Sequence, residues 1–138
     1  PDPPLARGEI RGFAGKNGRI KLNERTAAML AHARGWLAVN GGCPSGRAAP
    51  AWITQGSYST NVQASAGTHD GGGTFDMSVA GLTGPQRQAL VRALREAGFA
   101  AWLRGAPSFA PHIHAVAIGE VLARTRMRWV AYSLAISR

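Results

Sequence analysis

Gly73-Thr74-Phe75-Asp76-Met77-Ser78-Val79 alternates apolar and polar residues, the period-two pattern of a half-buried strand. Phe75, Met77 and Val79 then share one face, and Asp76 lies on the other. His112-Ile113-His114-Ala115-Val116-Ala117-Ile118 repeats the arrangement, with His112 and His114 opposite Ile113, Ala115 and Ala117. Both runs put apolar groups on one side and His or Asp on the other. That is the layout of a sheet whose back packs on helices and whose front lines a site.

Working outward, two helices are predicted. Asn23 is a good N-cap for a helix to about Val39, Glu24 suits its positive end, and Gly41-Gly42 stops it. Its expected buried stripe is Ala27, Leu30, Ala31, Arg34 and Leu37. Thr83 caps a second helix to Ala97, with Pro85 early and Gly98 at the end. Leu90, Val91, Leu94 and Ala97 form its stripe, opposite Arg87, Arg92, Arg95 and Glu96. Ala51 to Thr54 and Phe99 to Leu103 read as further strands. The expected fold is α+β, a mostly antiparallel sheet with helices packed on one face and the His and Asp side chains on the other.

One domain over 1–138 is expected, with 1–22 an N-terminal extension and 120–138 a C-terminal tail. The tail reads as an amphipathic helix docked on the domain. The opening Pro1-Asp2-Pro3-Pro4 suggests a processed or trimmed start, consistent with secretion. The chain is 138 residues with 45% apolar content, too apolar to stay disordered. Its single cysteine, Cys43, rules out a disulfide framework, and its loop setting reads as inert. No apolar run approaches the roughly 18 residues that span a bilayer.

Sixteen Lys and Arg against seven Asp and Glu give a formal charge of +9. The basic residues are scattered, and no helix-turn-helix, zinc-finger or RNP pattern accompanies them, so no specific nucleic-acid binding is expected. Attraction to anionic polymers remains.

Three of the four histidines fall in two short stretches, Thr68-His69-Asp70-Gly71-Gly72-Gly73-Thr74-Phe75-Asp76 and Pro111-His112-Ile113-His114. The fourth, His32, lies inside the first helix and reads as an ordinary helical residue. Two imidazoles and a carboxylate are the ligand set of an open catalytic zinc, whose fourth position is kept for water. The same set also suits non-haem iron(II), which the small size of the chain disfavours. The glycines between His69 and Asp76 allow a tight loop that lets ligands on either side converge. No GxxxxGK[ST] pattern is present, so this is not a phosphate loop.

These residues resemble the zinc D-alanyl-D-alanine carboxypeptidases and their peptidoglycan-cleaving relatives, grouped with lysostaphin-type peptidases and the hedgehog signalling domain. The family pattern SxHxxGxAxD is followed by HxH or ExxH. Here the first motif keeps His69, the glycine three later and Asp76, and His112-Ile113-His114 supplies the second. Trp52-Ile53-Thr54-Gln55-Gly56-Ser57-Tyr58 is similar to the strand and turn before the first motif.

The resemblance implies that His69, Asp76 and His114 bind zinc. It implies that His112 is the non-ligand general base, and that Gln55, Ser57 and Tyr58 face the substrate. It also implies a secreted or wall-associated monomer, or a phage lysin, acting on peptidoglycan peptides. Three positions depart from the pattern. Gly67 and Thr74 replace a serine and an alanine, and the turn before the first motif lacks the arginine many members carry. Carboxypeptidase action is the leading expectation, with endopeptidase action or a non-catalytic zinc-containing binding domain as alternatives.

Overall fold

The computed structural model describes residues 8–59, 72–106 and 109–118. His69 and the C-terminal tail lie outside these residues. A β-hairpin comes first, in a stretch where the sequence reading gives no element. β1 (Ile10–Gly15) pairs antiparallel with β2 (Gly18–Asn23) across a turn at Lys16 and Asn17. Ile20 and Leu22 point inward from β2 and join the core, while Arg19 and Lys21 stay exposed.

α1 (Glu24–Asn40) follows directly, and the Asn23 side chain accepts the Thr26 N–H at 2.8 Å. It ends at Gly41, whose N–H donates to the Leu37 carbonyl at 2.7 Å. The buried residues are Thr26, Met29, Leu30, Ala33 and Leu37, which corrects the predicted stripe. Ala31 is exposed and Ala27 only half-buried. The helix is turned by about one residue because burying Met29 removes far more apolar surface from water than burying an alanine.

Two short 3₁₀ turns, Ser45–Ala48 and Pro50–Trp52, lead into β3 (Ile53–Gln55). The strand expected from Ala51 therefore begins two residues late. Pro50 sets a helical φ at the start of the turn, and the Trp52 N–H donates to the Ala49 carbonyl at 3.0 Å.

β4 (Thr74–Ser78) and α2 (Gly84–Glu96) come next. In α2, Thr83 and Gln86 form a reciprocal capping box, which satisfies two N–H groups that the first turn otherwise leaves unpaired. Its buried residues are Leu90, Val91, Ala93 and Leu94, and Ala97 is its half-buried C-cap.

β5 (Phe99–Ala106) and β6 (Phe109–Ala117) complete a four-stranded antiparallel sheet of order β3-β4-β6-β5. The fold is thus α+β, with two antiparallel sheets and two helices among the described residues. On the back of the larger sheet, Phe75, Met77, Phe99 and Ile113 are buried with Leu30 and Leu94 from the helices in one core. Phe75 and Phe99 meet edge to face, with ring centroids 5.2 Å apart. A ring of that size, fully buried, stabilises the fold by about 2–3 kcal/mol relative to exposure. The alternation read from 74–79 and 112–118 is what creates this two-faced sheet.

Candidate functional site

The register of the sheet decides which polar side chains meet. Asp76 on β4 lies directly opposite His114 on β6, and Ser78 opposite His112. One strand further out, Trp102 on β5 lies opposite His114, and Arg104 opposite His112. On the other side, an irregularity in β3 sets Gln55 opposite Asp76, a re-aiming typical of bulges. Gln55, Asp76, His114 and Trp102 therefore form one row across all four strands, on the face away from the core.

Within that row the contacts are close. His114 Nδ1 stands 2.8 Å from Asp76 Oδ1. His114 is only 4% exposed, and the indole of Trp102 leans over its ring at a centroid distance of 5.0 Å. His112 Nε2 is 3.8 Å from the same Asp76 oxygen. Its other nitrogen, Nδ1, lies 3.1 Å from the Ala110 carbonyl. A carbonyl only accepts, so this contact requires Nδ1 to carry the proton. In the neutral ring Nε2 is then the basic nitrogen, and it faces Asp76.

Of the three residues expected to face substrate, Gln55 lies opposite Asp76 in the register, Tyr58 lies against Asn23 and Gly72, and Ser57 is turned inward. Ser57 is buried, and its hydroxyl donates to the Thr74 carbonyl at 2.8 Å while its N–H donates to the Lys21 carbonyl at 2.9 Å. These bonds tie the hairpin, β3 and β4 together. Gln55 is half-buried, and its Nε2 is buried without a hydrogen-bond partner among the described residues. An orphaned donor of this kind costs about 1–3 kcal/mol unless something arrives to accept from it.

Tyr58 has φ +57°, in the left-handed region that a bulky residue rarely adopts. Its hydroxyl accepts from Asn23 Nδ2 at 3.2 Å, so the helix cap also holds the tyrosine. Gly72 sits against this pair. A Cβ there would come within 2.5 Å of the Tyr58 hydroxyl and 2.6 Å of Asn23 Nδ2. Gly73, next to it, has φ +87°. Two glycines of the predicted loop are thus required, one by space and one by backbone conformation.

Among the described residues no group of three or more His, Cys, Asp or Glu side chains is arranged to hold a metal ion. His69, the third expected ligand, lies outside those residues. The donors that are described suit zinc in kind, a carboxylate oxygen and an imidazole nitrogen. The 2.8 Å between them is a hydrogen-bond distance, shorter than the separation of two ligands on one zinc.

Cys43 is buried, and burial pushes its thiol pKa up, an effect the nearby Arg47 charge only partly offsets. That fits the expectation of an inert thiol. Arg47 itself stacks on Trp52, its guanidinium carbon 3.5 Å from the ring centroid, and donates to the Ser78 carbonyl at 3.3 Å. It fastens the loop before β3 to the end of β4.

Two contributors to the site were not singled out from sequence, Trp102 and Asn23. Trp102 alternates with the inward Ala101 and half-buried Leu103, a pattern that marks its face but not its neighbour. Asn23 was read only as a cap. No helix among the described residues is long and apolar enough to cross a membrane. Comparison of the chain with protein-family models, with curated proteins and with solved structures finds no match.

Proposed function

We propose that the protein is a zinc-dependent peptidase that hydrolyses peptide bonds in peptidoglycan stem peptides, in the manner of a D-alanyl-D-alanine carboxypeptidase. The observation that carries this reading is the convergence of two imidazoles on one carboxylate oxygen. His114 Nδ1 lies 2.8 Å and His112 Nε2 3.8 Å from Asp76 Oδ1, on adjacent inner strands.

Asp76 and His114, with His69, would hold the zinc. When bound, the metal supplies Lewis-acid polarisation of a carbonyl and lowers the pKa of a water. The residues around it divide the remaining work. His112, its Nδ1–H held by the Ala110 carbonyl, accepts through Nε2 the proton of the attacking water and returns it to the leaving amine. The Tyr58 hydroxyl accepts from Asn23, which leaves its own proton to donate to the scissile carbonyl. Gln55 Nε2, buried without a partner among the described residues, is the second donor for the oxygen on which charge develops. Trp102 covers His114 and limits the access of bulk water to it.

The +9 charge suits attraction to anionic wall polymers and a secreted or wall-associated place of action, in a bacterium or as a phage lysin. The test is digestion of defined muropeptides by the zinc-loaded protein, with products weighed by mass spectrometry. Loss of terminal D-alanine is expected, and cleavage further inside would mark an endopeptidase. His114→Ala should lose both zinc and turnover, whereas His112→Ala should keep zinc and lose turnover. Muropeptides left intact by wild type and His114→Ala alike would sink the hydrolase reading. Zinc retained with unchanged partner binding in His112→Ala would make the protein a binding domain.

A further inference from the structure

Two side chains on the front of the sheet have no part in the scheme above as bond-making groups, Trp102 and Arg104. β5 is an edge strand of the sheet, and both residues project from it on the side of the site. Trp102 is 41% exposed even though it leans on His114. The indole offers an apolar face beside the buried imidazole of His114. Arg104, two residues on, lies opposite His112 in the register and is exposed. Its side chain makes no hydrogen bond or ion pair with any described residue.

We propose that Arg104 and Trp102 form a carboxylate-recognising wall of the site. In it Arg104 pairs with a peptide carboxylate one residue beyond the cleaved bond, and the indole covers the aliphatic part of that residue. This rests on the peptidase reading for the position of the bond and on the register for the rest. Neighbouring strands lie about 4.8 Å apart, and one extended residue spans about 3.4 Å. A peptide with its scissile carbonyl over Asp76 and His112 and its next residue running across β6 thus brings a carboxylate within reach of Arg104. Arg104 stands on β5, two strands away from Asp76 on β4. A single guanidinium matches a monoanion, in the planar two-point geometry that arginine offers a carboxylate. The turn before the first motif lacks an arginine, and β5 supplies one from the opposite side.

The carboxylate has two possible sources, the C-terminus of the stem peptide or the side-chain carboxylate of an internal residue. Calorimetry on the zinc-loaded full chain separates them, with His112→Gln in place so that probes are not consumed. Three probes are used: diacetyl-L-Lys-D-Ala-D-Ala, its C-terminal amide, and an amidated peptide that keeps the free α-carboxylate of a γ-linked D-Glu. One acid probe should bind about tenfold more tightly than the plain amide, a ratio typical of one charge-assisted pair. Arg104→Gln should erase that preference, Arg104→Lys should restore part of it, and Trp102→Leu should weaken acid and amide equally. The acid probe that shows the Arg104 dependence names the source.

Equal affinity for acid and amide, a preference unchanged in Arg104→Gln, or no measurable binding of either acid would overturn the proposal. Its failure is distinguishable from that of the peptidase reading. An Arg104-dependent preference in a protein that cleaves nothing supports the wall and sinks the hydrolase. Cleavage without the preference does the reverse.

Discussion

Replacing Asn23 tests whether the candidate site and the fold share one fastening. Its Oδ1 accepts the Thr26 N–H at 2.8 Å, capping α1, and its Nδ2 donates to the Tyr58 hydroxyl at 3.2 Å. The residue is fully buried, so water replaces neither bond in the folded state. Loss of an N-cap costs about 1 kcal/mol, and loss of a buried neutral hydrogen bond costs about 1 kcal/mol more. Asn23→Ala should therefore lose about 2 kcal/mol, and Asn23→Ser, which keeps a capping oxygen, about 1 kcal/mol. The assay is urea unfolding followed by far-UV circular dichroism. In a thermal melt, 2 kcal/mol corresponds to a fall of about 7 °C for a chain of this length. The Asn23→Ser/Tyr58→Phe cycle should show a coupling of about 1 kcal/mol. Equal losses for Ala and Ser would show that the cap contributes nothing. A coupling near zero would show that Asn23 does not hold the tyrosine.

Three further outcomes are expected. Gly72→Ala, whose methyl would strike both partners of the Asn23–Tyr58 bond, should cost about 1–3 kcal/mol and be far from additive with Asn23→Ala; simple additivity would refute the shared contact. Glu24 accepts from the Glu9 N–H and pairs with Arg11, and both hold its carboxyl below the usual range. The stability it adds should be complete above about pH 4.3, the ordinary glutamate value, and fade as pH falls through its lower folded pKa. Acid titration of Glu24→Gln should lack that component. Cys43, buried and with its pKa raised, should be alkylated by iodoacetamide at pH 8 far more slowly in the native protein than in urea. Equal rates would mean that the thiol is open.

How much of this was legible beforehand follows from which signals are local. Asn23 before α1, Gly41 after it and the Thr83–Gln86 box are each written within a few residues, and they gave both helices to within a residue or two. Alternation gave the faces of β4 and β6. The hairpin was missed although Asn17-Gly18 is a turn signal, because Arg19 and Lys21 mask how few apolar residues its inner face needs. The phase of α1 was missed because alanines at 27 and 31 counted as much as Met29 in a spacing argument, whereas packing weighs them by area.

At the site, the sequence placed Asp76 and the two histidines on matching faces. It could not set their register, and register alone puts Trp102 over His114 and Arg104 beside His112. Such pairing is long-range information, decided when β5 and β6 lock together.

The order of strands has a consequence for how such a protein could diversify. Asp76, His112 and His114 stand on β4 and β6, the two inner strands, each flanked on both sides by a neighbour. Gln55, Trp102 and Arg104 stand on β3 and β5, the two outer strands of that sheet. Substitutions at the rim can thus vary what the sheet receives without disturbing the spacing at its centre. A library confined to positions 55, 102 and 104 should yield many folded proteins with altered ligand preference, while the same number of changes at 76, 112 and 114 should yield few that retain any function. Reactivity and selectivity would then be separable traits, inherited from different strands.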